Sequence, residues 1–241
     1  MPHPMDVITA LPRYADDPAA CNRLRRRYDH IIGPFADDIA GARVLDLASH
    51  DGRWCYALAA TGATSVLGIE GRAETMAEFS AYPDDADKAK VTLRQNDIFE
   101  ELEALKAAGE TFDVITIYGI FYHITEHYRL LLLVQALKPK LIIIDSEFLA
   151  RARGGMVRFL KNDTSHPLNS IPRRDGAKVE LVGTTSRPFV DIVGDITGYQ
   201  TQWVDWTKLP LAQRDGLDDY YRRGKPRIRG TVAMRPRADK A

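Results

Sequence analysis

Five short runs dense in Val, Ile and Leu recur between residues 43 and 148, with polar or helix-patterned stretches between them. They are Arg43–Leu47, Ser65–Glu70, Val91–Phe99, Phe112–Tyr118 and Leu141–Asp145. Continuous β-branched runs of this kind suit strands buried on both faces, as in a parallel sheet covered by helices. The pieces between them read as helices. One runs from Gly52 to Thr61, behind the N-cap type Asp51 and closed by Gly62. Another, Glu126 to Leu137, carries Leu130, Leu131, Leu133, Val134 and Leu137 and stops before Pro139. Strand and helix alternating at a spacing of ~25 residues predict right-handed crossovers and a doubly wound α/β sheet. After residue 148 the rhythm breaks. Residues 149–184 show no clear period and contain Gly154-Gly155, Pro167 and Pro172. A helix from Arg187 to Ile196, stopped by Gly198, then precedes two further strands, Gln200–Trp206 and Arg227–Met234.

Composition narrows the class without changing this picture. The 241 residues suffice for one full-sized domain. Hydrophobic and charged fractions of 45% and 27% exclude disorder, collagen and coiled coil as global descriptions. Thirty-three basic residues balance 33 acidic ones, which argues against a surface that grips nucleic acid or acidic lipid everywhere. The neutral total is an average over unlike segments. Residues 149–178 hold seven Lys or Arg against two acids, and residues 222–240 hold eight against one, offset by acidic stretches at 84–87 and 100–103. A locally basic site therefore remains open, whether for an anionic metabolite or for RNA. Cys21 and Cys55 make neither a metal motif nor a disulfide scaffold. No secretory signal and no apolar run near the ~20 residues of a membrane span are visible, so a soluble cytoplasmic protein with no membrane partner is expected.

In an open parallel sheet, ligands bind beyond the carboxyl ends of the strands. Strand one runs into Asp46-Leu47-Ala48-Ser49-His50-Asp51-Gly52, and strand two ends in Glu70-Gly71-Arg72. Strand three ends in Asn96-Asp97-Ile98-Phe99, and strand four in Tyr118-Gly119-Ile120-Phe121-Tyr122-His123. An acid closing strand two suits the two hydroxyls of a ribose. Asp97 suits an exocyclic adenine amine, with Ile98 or Phe99 against the base. Singly, each fits an ordinary surface acid equally well.

Together these segments resemble the class I S-adenosylmethionine-dependent methyltransferases, closely over residues 40–150 and less specifically over 187–234. The resemblance implies a mostly parallel seven-stranded sheet with helices on both faces and the last strand antiparallel. It also implies one domain over residues 1–241, with an N-terminal helical cap at 1–40 and an acceptor-binding lid at 149–184. S-adenosyl-L-methionine is the implied cofactor. Asp46, Ala48, His50 and Gly52 would surround its methionine end, Glu70 its ribose, and Asp97 with Ile98 its adenine, and Tyr118 would be a further cofactor-binding residue. The family pattern here is an acid, any residue, then Gly-x-Gly-x-Gly, so Ala48 and His50 replace two glycines. Ala adds one methyl, and His is among the few residues enriched at positive φ. A nicotinamide cofactor is disfavoured, because a single glycine in this loop offers no pyrophosphate cradle.

For a hydroxyl acceptor a base is needed, and His is the usual one near neutral pH. His123, just past strand four, is the first candidate and His166 in the insertion the second. The polar run Lys161 to Ser170 suits a polyhydroxylated acceptor. O-methylation of a small molecule, a sugar or an anionic metabolite, is therefore expected, and a homodimer is possible. The stretch 118–123 also resembles the Gly-x-Leu-Tyr-His pattern of enzymes acting on the tRNA wobble uridine, which keeps an RNA substrate as an alternative. A non-catalytic, cofactor-binding partner subunit is the third reading. No metal is expected. His127 forms an i, i+4 pair with His123 if both lie on one helix, but Asp145 and Glu147 would have to converge on the pair.

Overall fold

The computed structural model describes residues 3–166, 168–169, 171–172, 176–222 and 224–238. Its strands are β1 (Arg43–Leu47), β2 (Ser65–Glu70), β3 (Val91–Gln95), β4 (Val114–Tyr118), β5 (Leu141–Leu149), β6 (Val157–Asp163), β7 (Val179–Thr185), β8 (Tyr199–Trp203) and β9 (Arg227–Pro236). Seven of them form one sheet in the order β3-β2-β1-β4-β5-β9-β8. The first five run parallel, and β9 lies antiparallel between β5 and β8. This is the doubly wound, mostly parallel, seven-stranded class I methyltransferase fold anticipated above.

The strands are apolar on both faces because each face is covered. Val44, Val66, Val114 and Ile143 belong to one core cluster, which includes Leu24, Tyr28 and Ile31 of the helix Pro18–Ile31 and Trp54 and Ala57 of the helix Arg53–Ala60. Leu45, Ile69, Ile115, Ile117 and Ile144 belong to the other, with residues of the helices Ile98–Ala107, His127–Ala136 and Arg187–Thr197. Period-two alternation thus divides each strand between two cores. The strand order reverses between β1 and β4, which opens a crevice at their carboxyl ends.

Three local expectations need correction. The third strand stops at Gln95 instead of Phe99, because Asp97 accepts the amides of Phe99 (2.8 Å) and Glu100 (3.3 Å) and starts a helix at Ile98. Residues 149–184 are not unpatterned. β5 continues to Leu149, and β6 pairs antiparallel with β7 from Val157↔Thr185 to Asp163↔Val179. That ribbon carries Arg158, Lys161 and an exposed Phe159, so it lacks the aliphatic signature of a buried strand. Finally, β8 spans Tyr199–Trp203, and Trp206 begins a short 3₁₀ turn. No helix among the described residues is long and apolar enough to cross a membrane.

Candidate active site

The loop after β1 makes three left-handed steps at alternate positions, with φ of +59° at Ala48, +56° at His50 and +77° at Gly52. A left-handed conformation costs a residue with a Cβ about 1–2 kcal/mol, so Ala48 and His50 must be held there. Ser49 donates its amide to the Ile69 carbonyl (2.9 Å), and His50 donates its amide to Glu70 Oε2 (2.8 Å). Gly52 has no such latitude, because a Cβ would lie 2.4 Å from the Phe79 ring. Gly52→Ala is expected to destabilise the fold by about 1–3 kcal/mol, read as a lowered thermal midpoint.

A cavity of about 310 Å³ opens beside this loop. Ala48, His50, Glu70, Asp97, Ile98, Tyr118 and His123 all line it. Glu70 is nearly buried, and each of its oxygens accepts one backbone amide, from His50 (2.8 Å) and from Arg72 (2.9 Å). A carboxylate oxygen has a second lone pair, so a pair of vicinal hydroxyls can still be accepted. Asp97 caps its helix through Oδ1. Tyr118 forms a wall, its hydroxyl donating to the Ile31 carbonyl (3.1 Å) and its ring edge-on to Trp54.

Asp46 and Gly52 lie behind the cavity and do not line it. Asp46 accepts from Thr116 Oγ1 (2.6 Å) and Cys55 Sγ (3.4 Å), and burial pushes its carboxyl up to about 7. It braces β1 against β4. Arg72 donates to the carbonyls of Thr164 and Asn169 (2.9 and 3.3 Å), and Leu168, Asn169 and Ile171 join the cavity lining. The insertion therefore closes over the strand-two end of the crevice.

Asp51 ties the N-terminal helices to the loop. Fully buried, it accepts from Arg13 (2.8 Å), the Tyr14 hydroxyl (3.0 Å) and Arg53 Nε (2.6 Å). Burial alone would raise its pKa, but hydrogen bonding to His50 and the charges of Arg53 and Arg13 hold the carboxyl well below the usual carboxylate range. A depressed folded pKa means that the stabilisation is complete above the unfolded value near 4 and is lost as pH falls below it. Asp51→Asn should cost on the order of 2–4 kcal/mol in urea titrations at pH 7, with a smaller penalty in acid.

At the far end of the cavity, His123 ends a 3₁₀ turn, Phe121–His123, and is nearly buried. Asn162 of β6 lies 3.2 Å from its Nδ1, and the Tyr122 ring sits 4.0 Å away, centroid to centroid. Burial, with the charges of Arg229, Arg227 and His166, lowers its pKa to about 4, so the imidazole is neutral at physiological pH. His166 does not line the cavity. It is exposed, and its Nδ1 accepts the Leu168 amide (3.2 Å). His123 and His127 are not a helical pair, because the helix begins only at His127, whose Nε2 meets the Gly183 carbonyl (3.0 Å). Among the described residues, no three His, Cys, Asp or Glu side chains gather as a metal-ligand set.

Arg23, Arg27 and Arg229 line the same end of the cavity and were not singled out from the sequence. Arg229 left only a faint trace there, as one of three arginines in the strand Arg227–Pro236, with nothing to mark it as the buried one. Arg23 and Arg27 left none, since their partners lie more than a hundred residues away.

Residues 44–140 match the family described as a methyltransferase domain. The tRNA U34 carboxymethyltransferase of Marinobacter nauticus is 32% identical over 92 residues, 38% of this chain and 27% of that protein. The arsenite methyltransferase of Aquipseudomonas alcaligenes is 44% identical over 81 residues, 31% of this chain and 23% of that protein. The matched stretches thus span about a quarter of these relatives' length. Among solved structures, the N-terminal domain of EvdMO1, determined in the presence of SAH and D-fucose, is similar at a TM-score of 0.61. The identity there is 22%, covering 92% of this chain and 84% of that one.

Proposed function

We propose that this chain, which has the class I S-adenosylmethionine-dependent methyltransferase fold and a methyltransferase domain matched at 44–140, O-methylates a small hydroxylated molecule, first of all a saccharide. The observation that carries this reading is that Glu70 and His123 line one cavity, one suited to a ribose and the other to an acceptor hydroxyl. Bound S-adenosylmethionine supplies an electrophilic methyl group on a sulfonium. The chain supplies position and a base. Glu70 takes the ribose hydroxyls, Asp97 and Ile98 take the adenine, and Ala48 and His50 frame the methionine end while Asp46 and Gly52 shape that loop from behind. Neutral His123 would take the proton of the acceptor hydroxyl. Alignment in the closed crevice supplies most of the acceleration. The D-fucose of the EvdMO1 crystals supports a sugar-sized acceptor. His166, outside the cavity lining, is the weaker candidate base.

A second reading is methyl or carboxymethyl transfer to tRNA, favoured by the names of two curated relatives and by the basic residues at 222–240. One assay separates the two. The chain is incubated with radiolabelled S-adenosylmethionine and either bulk tRNA or a sugar-rich metabolite fraction. Label in the metabolite fraction alone is expected, and label in tRNA alone would overturn the acceptor choice. Cofactor binding without label in either would identify a non-catalytic partner subunit.

A further inference from the structure

We propose that the acceptor carries an oxyanion, a carboxylate or a phosphate ester, seated between Arg27 and Arg229 at the His123 end of the cavity. The proposal rests on the reading above that this cavity receives an acceptor. Arg27, from the helix Pro18–Ile31, and Arg229, from β9, donate to the same atom, Asp145 Oδ1, each at 2.8 Å. Two guanidinium groups therefore stand side by side. Asp145 Oδ2 is already taken by the hydroxyls of Tyr220 and Thr231, both at 2.7 Å. Asp219 accepts from Arg229 Nε (2.7 Å) and from both terminal nitrogens of Arg23 (2.7 Å each).

The charges do not balance. Three guanidiniums face two carboxylates, and burial pushes the Tyr220 hydroxyl up, so it is no counter-ion. Next to them, Glu147 meets both Arg222 (3.0 Å) and Arg227 (3.1 Å). The neighbourhood holds five arginines and three carboxylates, an excess of two positive charges. Arg229 and Asp219 are nearly buried and Asp145 is fully so. The buried part, Arg27 and Arg229 against Asp145 and Asp219, closes neutral, and the excess lies on the partly exposed Arg23, Arg222 and Arg227, which makes the field at this end of the cavity positive.

Donors remain as well as charge. Arg27 Nη1 has no hydrogen-bond acceptor among the described residues, and Arg229 Nη2 reaches only the Tyr122 hydroxyl, at 3.5 Å. Paired guanidiniums suit the planar or tetrahedral oxygens of a carboxylate or phosphate. A neutral hydroxyl accepts such a bond but cancels no charge. The same charges bear on His123, since those of Arg229 and Arg227 help to hold its imidazole low. An oxyanion seated on them offsets that field, so the base regains strength when the acceptor is in place.

The test is calorimetric. D-glucuronate, D-glucose 6-phosphate and D-glucose are titrated into the protein with and without saturating S-adenosylhomocysteine. At least one anionic probe is expected to bind about tenfold or more tighter than glucose, and the pair of arms distinguishes carboxylate from phosphate. Arg27→Gln should weaken that probe by about tenfold while S-adenosylhomocysteine affinity stays within about twofold. The wild-type comparison stands alone should that variant fail to fold. Glucose binding as tightly as both anions, no anion binding in either state, or unchanged anion affinity in a folded Arg27→Gln would each overturn the proposal. Anion binding without S-adenosylhomocysteine binding would sink the methyltransferase reading and leave the oxyanion subsite standing.

Discussion

His123→Ala is expected to lower turnover by about 10²–10⁴-fold, the usual contribution of a positioned general base. Cofactor affinity should stay nearly unchanged, because the methionine, ribose and adenine positions lie on other strand ends. The environment of His123 sets the form of its pH dependence. Burial and the neighbouring cations lower its pKa to about 4, so the base form is lost only as pH falls through that value. The acid limb of kcat/KM, which reports the free enzyme, should therefore lie near 4 and not near the ordinary histidine value of about 6.5. The kcat limb, which reports the complex, should lie higher if an oxyanion offsets Arg229 and Arg227. The Asn162 side-chain nitrogen lies 3.2 Å from Nδ1, and donating there it holds the neutral ring with its proton on Nε2, so Nε2 can act as base only with that amide turned the other way. An oxygen facing Nδ1 would retain the tautomer whose Nε2 can take a proton. Wild-type turnover in His123→Ala would remove the base assignment while leaving the cofactor site intact.

Glu70→Ala should weaken S-adenosylhomocysteine binding by about 1–3 kcal/mol, roughly 5- to 150-fold, the cost of losing hydrogen bonds to a charged acceptor. The carboxylate has two duties, accepting the amides of His50 and Arg72 and presenting its remaining lone pairs to the cavity. Because His50 sits at positive φ, losing its amide partner also loosens the loop. Glu70→Gln separates the two duties. Its carbonyl oxygen can retain one backbone amide, but the amide group has no second acceptor oxygen. It should keep more of the thermal stability than of the affinity. Equal affinity in all three proteins, measured by calorimetry, would contradict the ribose assignment.

Much of this site was legible because its parts sit where strands end. The aliphatic runs at 44–47, 66–69, 114–117 and 141–144 dictated a covered parallel sheet. Glu70, Tyr118 and His123 follow such runs within six residues, Asp97 follows the more polar strand 91–95 by two, and the fold brings all four to one cavity. The positive φ at His50 was likewise readable from residue type. What stayed hidden was non-local or solvated. Arg27 and Asp145 meet across 118 positions of sequence, with no periodicity linking them. Asp46 stands at a strand end like the others, yet its register neighbour Thr116 and the Cys55 thiol take its oxygens and keep it behind the wall. The β6–β7 ribbon carries polar residues along both faces, so the alternation that marks a half-buried strand is blurred.

Whether the crevice at the β1–β4 switch holds S-adenosylmethionine is decided by titrating S-adenosylhomocysteine into the wild-type chain. Saturable binding at one site per chain is predicted, weakened in Glu70→Ala and retained in His123→Ala. Absence of binding by a cooperatively folded wild-type protein would mean that this crevice is not a cofactor site.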